Sequence, residues 1–384
     1  MAGPTYLWRE GNSFELMIDG DCFFPRLLHA MEQASERIDI ELYLVESGQS
    51  TDQVVAILSA AVARGVKVRC LFDGLGSRSL RDADRARLRQ AGVDLHFYNP
   101  LNLLGGRFNL HRDHRKLIII DDRVVFIGGT GFTDEFCIPD QAGRCLWHEH
   151  MLQVQGPVVA DWVRVFQQQW QSTDATQGRT RASLRRVRIP PLPQGTDGLA
   201  RVSLTDGRRH RELVQALLAS IARAERQVWL ATPYFVPGWR IRRALKRAAR
   251  RGVDVRLLLC GEITDHPAVR YAGQGFYRRL LSAGVRIYEY QPRFLHLKSV
   301  LVDDWVSLGS SNFDRWTLHW NLEANQNIID RDLRTAVERS FTADFAESHE
   351  WTLVQWLNRP WLHRSKTRLW GAVSRAAMFW LGIR

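Results

Sequence analysis

Two stretches of the chain carry the same chemistry-bearing residues at the same spacing. They are His114-Arg-Lys-Leu-Ile-Ile-Ile-Asp121 and His296-Leu-Lys-Ser-Val-Leu-Val-Asp303, and both read H-x-K-x4-D. The apolar, β-branched run after each Lys predicts a buried strand. Residues two apart on a strand share a face, which puts His114 beside Lys116 and His296 beside Lys298. Asp121 and Asp303 complete the candidate catalytic set as motif members. Their odd spacing from the His, at the strand end, directs them elsewhere and toward a structural role.

A neutral imidazole can attack phosphorus, and a protonated one can hand a proton to a departing oxygen. Lys116 and Lys298 would meet the charge on nonbridging oxygens. A glycine-rich turn follows each copy, Gly128-Gly-Thr-Gly131 and Gly309-Ser-Ser-Asn312. There backbone N–H groups can approach a phosphate, and Ser310, Ser311 and Asn312 add neutral donors. Each half then reaches an acidic residue, Glu149 in Trp147-His-Glu149 and Glu323 in Asn321-Leu-Glu323. A carboxylate behind each His would fix its tautomer and stabilise its charged form. The set amounts to nucleophile, acid and cationic donors for exchange at a phosphodiester, with no metal and no cofactor expected. His111 and Arg112 read as a polar lead into the first strand and Tyr234 as packing. His148 and His150 flank Glu149 without an i,i+4 metal pattern.

The elements around these motifs recur in a fixed order. Apolar residues three and four apart predict helices over 24–34, 54–62 and 80–90, the second N-capped by Thr51-Asp52 and stopped at Gly65. Strands are expected over 38–44, 66–72 and 93–97. The second half repeats this with helices over 213–224, 241–251 and 276–281 and strands over 228–231, 253–259 and 285–288. Ala-Arg-Gly-Val-Lys-Val-Arg69 answers Arg-Arg-Gly-Val-Asp-Val-Arg256, which marks an internal duplication. The fold class expected is α/β, with two similar lobes forming a pseudo-dimer. The lobes are placed at 1–171 and 199–358, joined by a basic, Pro-rich linker over 172–198 and followed by a tail over 359–384.

The 384 residues and 45% apolar content suit a globular chain of two domains. Lys+Arg 53 against Asp+Glu 41 leaves a net charge of +12, which favours phosphate-bearing partners, nucleic acid or anionic lipid. Five cysteines without metal-ligand spacing point to free thiols in a reducing compartment. The N-terminus lacks a signal-peptide layout, and no apolar run approaches the ~20 residues of a membrane span. A cytoplasmic protein with peripheral membrane contact is expected. On a helical tail, Leu362, Leu369, Val373, Ala377 and Trp380 share one face, with Arg364, Arg368 and Arg375 off it. That suits a helix lying in a membrane interface; the competing reading is a helix docked on the protein's own core.

From about Tyr6 to Arg359, through both motifs, Gly309-Ser-Ser-Asn312 and Asn321-Leu-Glu-Ala-Asn325, the chain resembles the phospholipase D superfamily and, within it, the bacterial cardiolipin synthase B branch. The resemblance implies two α/β/α sandwich lobes whose motifs meet at one shared site. It also implies His114 as the nucleophile that forms a phosphohistidine and His296 as the acid that later becomes the base. The implied activity is phosphatidyl transfer between two phosphatidylglycerol molecules at the cytoplasmic face of the membrane, with anionic phospholipid rather than nucleic acid as partner. Alternatives are a hydrolase of phospholipid or nucleic acid and a non-catalytic lipid-binding protein. Two departures stand out. Gly131 replaces the Asn of the family's first turn, a donor for which Thr130 or Thr133 could substitute. Five residues, not six, separate Asp303 from Gly309.

Overall fold

A computed structural model describes residues 6–102, 104–139, 143, 145–174, 197–206 and 210–380. Most of the expected linker therefore lies outside the described residues, while residues 172–174 close the helix Val159–Asp174.

The first half contributes β1 Ser13–Ile18, β2 Arg37–Leu42, β3 Lys67–Asp73, β4 Asp94–Tyr98, β5 Lys116–Ile120, β6 Val124–Gly128, β7 Trp147–His148 and β8 His150–Gln155. Seven of these make one sheet in the order β1-β8-β6-β5-β2-β3-β4. The second half contributes β9 Leu199–Asp206, β10 His210–Arg211, β11 Gln227–Thr232, β12 Asp254–Cys260, β13 Arg286–Tyr290, β14 Phe294–Leu295, β15 Ser299–Val302, β16 Trp305–Gly309, β17 Leu322–Ile329 and β18 Ser348–Trp351. Nine of them follow the order β10-β9-β17-β16-β15-β11-β12-β13-β18. The two sheets share a plan. Parallel strands β2, β3 and β4, or β11, β12 and β13, lie beside an antiparallel hairpin that carries the motif strand, β5 or β15. Helices cross over between the parallel strands, as that geometry requires.

Strand alternation sorts the core into layers. Ile118 and Ile120 of β5 pack with Phe23, Leu27, Val54 and Leu58 beneath the helices Gly20–Glu32 and Gln49–Ala63. Their neighbours Leu117 and Ile119 join Trp162 and Phe166 on the opposite face, in a core that continues into the other lobe through Ala200, Val202 and Leu301. Burying each such side chain stabilises the fold by about 1.5–3 kcal/mol, so the shared layer holds the lobes together as well as each sheet.

Local signals placed the helix stops correctly: Gly65 and Gly252 follow their helices at φ 91° and 92°, the left-handed conformation that glycine adopts at least cost. The expected Thr51-Asp52 cap is corrected. The helix begins at Gln49, and Thr51 lies inside it, donating to Glu46 O. The orphan N–H groups of Gln49 and Ser50 are met by the carboxylate of Asp134, at 3.1 and 2.9 Å. The one-residue difference between the motif hairpins is absorbed in their turns. Ile120 pairs with Val124 across three residues, and Val302 pairs with Trp305 across two.

The tail forms the helix Trp361–Trp380, as expected, and it is docked on the protein by one face. That face lies on the helix Pro267–Gln274: His363 Nε2 lies 2.8 Å from Gln274 Oε1, and Thr367 and Met378 are buried. The apolar face, with Leu362, Leu369 and Val373, remains exposed. Among the described residues no helix is long and apolar enough to cross a membrane. All five cysteines are free.

Candidate active site

The two motifs meet, and each enters its strand through a short parallel pairing with the other lobe. The N–H of His114 donates to Leu322 O at 3.0 Å, and the N–H of His296 donates to His148 O at 2.8 Å. Leu322 and His148 are the residues just before Glu323 and Glu149. Each carboxylate is therefore delivered to the imidazole of the opposite lobe. Glu149 Oε2 sits 2.6 Å from His296 Nδ1, and Glu323 Oε1 sits 2.9 Å from His114 Nδ1, off the line of a well-aligned hydrogen bond. The site is incomplete without both lobes.

Each Lys turns back on its own motif. Lys116 Nζ donates to His114 O at 2.7 Å, and Lys298 Nζ donates to His296 O, with His296 Nδ1 3.0 Å away. Aromatic rings wall the imidazoles. Tyr43 meets His114 edge-on at 4.8 Å, and Trp147, Phe136 and Phe294 stand 4.9, 5.5 and 5.6 Å from His296.

Asp121 and Asp303 are not part of this site, which corrects their place in the candidate catalytic set. They lie beyond the far ends of β5 and β15, roughly 20 Å along the strand from the His. Both adopt left-handed backbone, φ 51° and 49°, which Asp tolerates better than most residues. Asp121 accepts from the N–H groups of Ser35, Glu36 and Arg37 at 2.8–2.9 Å, and Asp303 from those of Glu225, Arg226 and Gln227 at 2.9 Å. Each pins the hairpin turn to the start of the neighbouring parallel strand.

The electrostatics follow from burial. Burial, aided by Lys116 and Lys298, holds the His114 pKa well below its usual value. Burial with Lys298, Lys116 and His114 does the same for His296, so both imidazoles are neutral in the free cleft. Burial lowers Lys116 to about 7 against the pull of Glu323, and lowers Lys298 against Glu149. It raises Glu149 to about 7 and Glu323 to about 8 despite the facing lysines. The pKa values of Lys116, Glu149 and Glu323 are thereby brought close to one another near neutral pH.

The glycine-rich turns do something other than cradle phosphate. A Cβ on Gly129 would lie 2.0 Å from Glu149 Oε2, and one on Gly309 would lie 2.3 Å from Ala324 O. The glycines let a carboxylate and a neighbouring strand approach. The Ser310 hydroxyl donates to Glu323, so it orients the carboxylate rather than a phosphate. Ser311 is fully buried, its N–H on Asn325 Oδ1. Asn312 does line the cleft, with Oδ1 unpartnered. Thr130 and Thr133 do not replace the missing Asn. The Thr130 hydroxyl donates to Gly131 O, and the Thr133 hydroxyl lies on the Glu46 and Glu135 carboxylates. A Cβ at Gly131 would stand 2.3 Å from Leu44 O and 2.9 Å from Leu44 Cβ. Gly131→Asn is therefore expected to lower turnover by displacing the segment that presents Tyr43 to His114, and to cost about 1–3 kcal/mol of stability. Denaturant unfolding and steady-state kinetics check both; a gain in turnover would show that the missing amide limits the enzyme.

His148, His150 and Asp344 place ligand-type atoms within 4.8 Å of one another, the grouping among the described residues that could hold a metal. Both ring nitrogens of His148 are already committed, to Asp19 at 2.7 Å and Asp344 at 3.0 Å. Burial opposes its charge, but the two carboxylates outweigh it and hold the pKa at about 9. With Arg293 also on Asp19, this is an ion-paired brace between the lobes.

The cleft above the imidazoles has a volume of about 620 Å³. Its sides are largely apolar, with Leu44, Leu75, Leu110, Val236, Val269 and Met378. Tyr234, Asp265 and His266 also reach it, although no spacing in the sequence marked the last two. Arg112 lines it while committing its guanidinium to Asp73 and Asn99 O.

Two α/β/α lobes that bring paired H-x-K segments to one site define the phospholipase D superfamily. The fold agrees: a phosphatidylserine synthase from Haemophilus influenzae Rd KW20 superposes with a TM-score of 0.72 at 14% identity, over 99% of this chain and 97% of that one. A family profile described as cardiolipin synthase, PLD-like domain, matches residues 27–170 and 217–345. Cardiolipin synthase B of Salmonella typhi is 37% identical over 328 residues, 84% of this chain and 78% of that protein. Cardiolipin synthase B of Escherichia coli K12 is 34% identical over 370 residues, 94% and 87% of the two chains. The chain belongs to the cardiolipin synthase, PLD-like domain family.

Proposed function

We propose that the protein is a cardiolipin synthase that joins two phosphatidylglycerol molecules and releases glycerol. The chain is a phosphatidyltransferase of the phospholipase D superfamily. The observation that carries the finer reading is the crossed pairing of Glu323 with His114 and Glu149 with His296 at the floor of a largely apolar cleft. Neutral His114 attacks the phosphorus of the first lipid, forming a P–N bond as the P–O bond to glycerol breaks. The leaving oxygen takes a proton from His296. A hydroxyl of the second phosphatidylglycerol then attacks phosphorus, the P–N bond breaks, and the hydroxyl proton returns to His296. Lys116 and the Asn312 amide, which line the cleft, meet the nonbridging oxygens, and Lys298 adds its charge from behind His296.

His296 is neutral in the free cleft, so its acid form must arise on binding. The anionic diester offsets the two lysine charges that depress it, and Glu149, with a pKa of about 7, shares the proton with Nδ1. Apolar walls admit acyl chains and keep water from the phosphohistidine, which favours transfer over hydrolysis. A site supplied with bilayer lipids places the protein peripherally at a membrane surface.

Incubation with phosphatidylglycerol vesicles, followed by mass spectrometry, tests this reading: cardiolipin and glycerol should appear in equal amounts. Phosphatidic acid alone, or cleavage of nucleic acid without lipid turnover, overturns it. In the same assay kcat/KM should fall as pH rises through about 7, because Lys116 then loses its charge and its hold on the phosphate. A profile flat to alkaline pH would remove that charge from the mechanism.

A further inference from the structure

We propose that the loop residues 101–102 and 104–110 and the exposed face of the helix Trp361–Trp380 form one docking surface for an anionic phospholipid bilayer, with the cleft opening between them. This rests on the lipid-transfer reading and adds where the substrate enters. The loop is a built projection. Asn109 Nδ2 donates to Asn102 O at 2.7 Å, and Asn99 Nδ2 donates to Phe108 O and His111 O at 2.7 and 2.8 Å. These bonds hold Leu104 out at 95% exposure, with Leu101 at 56%. The loop touches the end of the helix, where Arg107 Nη2 donates to Trp380 O at 3.2 Å. On the helix, Leu362, Leu369 and Val373 are 56%, 59% and 45% exposed.

Both elements also line the cleft, the loop through Asn109 and Leu110 and the helix through Trp370, Val373, Ala377 and Met378. The exposed apolar surface is thus continuous with the apolar wall above the imidazoles. Charge identifies the occupant. Neither 99–112 nor 361–380 contains an acidic residue, whereas Arg107, Arg364, Lys366, Arg368 and Arg375 are all exposed. Exposed Leu side chains among cations, with no carboxylate, complement a bilayer of anionic headgroups and acyl chains. Two separate elements give a rim that can seat on the bilayer with the cleft mouth facing it, so that a lipid passes its headgroup inward while its chains stay in apolar surroundings.

The test uses the full chain and two double variants outside the cleft lining, Leu101→Glu with Leu104→Glu, and Leu362→Glu with Leu369→Glu. Co-sedimentation is measured with phosphatidylglycerol vesicles and with phosphatidylcholine vesicles, and turnover with a water-soluble nitrophenyl phosphodiester. Each variant should bind phosphatidylglycerol vesicles at least tenfold more weakly than wild type, while its thermal unfolding and its turnover of the soluble diester stay within twofold. Wild type should prefer the anionic vesicles and lose that preference in high salt. Unchanged vesicle binding by the loop variant overturns the two-part surface, and equal binding of wild type to both vesicles overturns the charge argument. A wild-type dimer that the substitutions dissociate would make the face a subunit interface and overturn the proposal. Absence of turnover on any diester would sink the catalytic reading alone, because vesicle binding is scored independently.

Discussion

His114→Ala should lower phosphatidylglycerol turnover by about 10⁴-fold or more, and no covalent lipid or phosphoryl adduct should form on the protein. His296→Ala should behave differently according to the leaving group. With phosphatidylglycerol, whose alkoxide leaves only if protonated, the loss should be about 10²–10⁴-fold. With a nitrophenyl phosphodiester, whose leaving group needs no proton, the first step should survive. The second step, which needs His296 as base, should stall, and the adduct on His114 should then accumulate and be seen by intact-protein mass spectrometry. This split is informative because the geometry is close to two-fold symmetric: both rings are largely buried, neutral and backed by a Glu from the other lobe. An adduct mapped to His296 in the His114→Ala protein would exchange the two roles.

What the sequence could and could not reveal separates along physical lines. Lobes, parallel strands and helix stops were readable because they rest on periodicity and on glycine's left-handed conformation at Gly65 and Gly252. The direction of Asp121 and Asp303 followed from strand parity; their task did not, because the three N–H groups each one holds lie about eighty residues away in the chain. The spacing singled out the His, Lys and Glu residues that the structure brings together, but not their pairing. Chain order sets Glu149 after His114 and Glu323 after His296, whereas the lobe arrangement joins each to the other His. Residues with no periodic signature, such as Tyr43, Asp265 and His266, were invisible because only the assembled cleft brings them together. The tail's two faces were each readable, and only the docking of His363 and Thr367 on Gln274 decides which one is covered.

Gly129→Ala should reduce kcat by about 10²-fold or more, with little change in KM and a folded protein. The added Cβ would fall 2.0 Å from Glu149 Oε2 and 2.6 Å from its carboxyl carbon. A carboxylate at the end of a free side chain could step aside, but this one is fully buried. Its Oε1 accepts from His150 N at 2.9 Å, and its Oε2 is the oxygen at 2.6 Å from His296 Nδ1. Making room for a methyl therefore pulls that oxygen off the imidazole, which loses both its fixed tautomer and the stabilisation of its charged form. Gly129 borders the cleft, but the atoms nearest the added Cβ are all those of the Glu149 carboxylate, so the defect should fall on proton transfer more than on substrate binding. Glu149→Gln should produce the same kinetic defect, and the double variant should be no worse than either single one, because both remove one interaction. Additive losses would instead show that Gly129 contributes through its own backbone N–H at the phosphate, restoring the cradle role the turn's composition suggests.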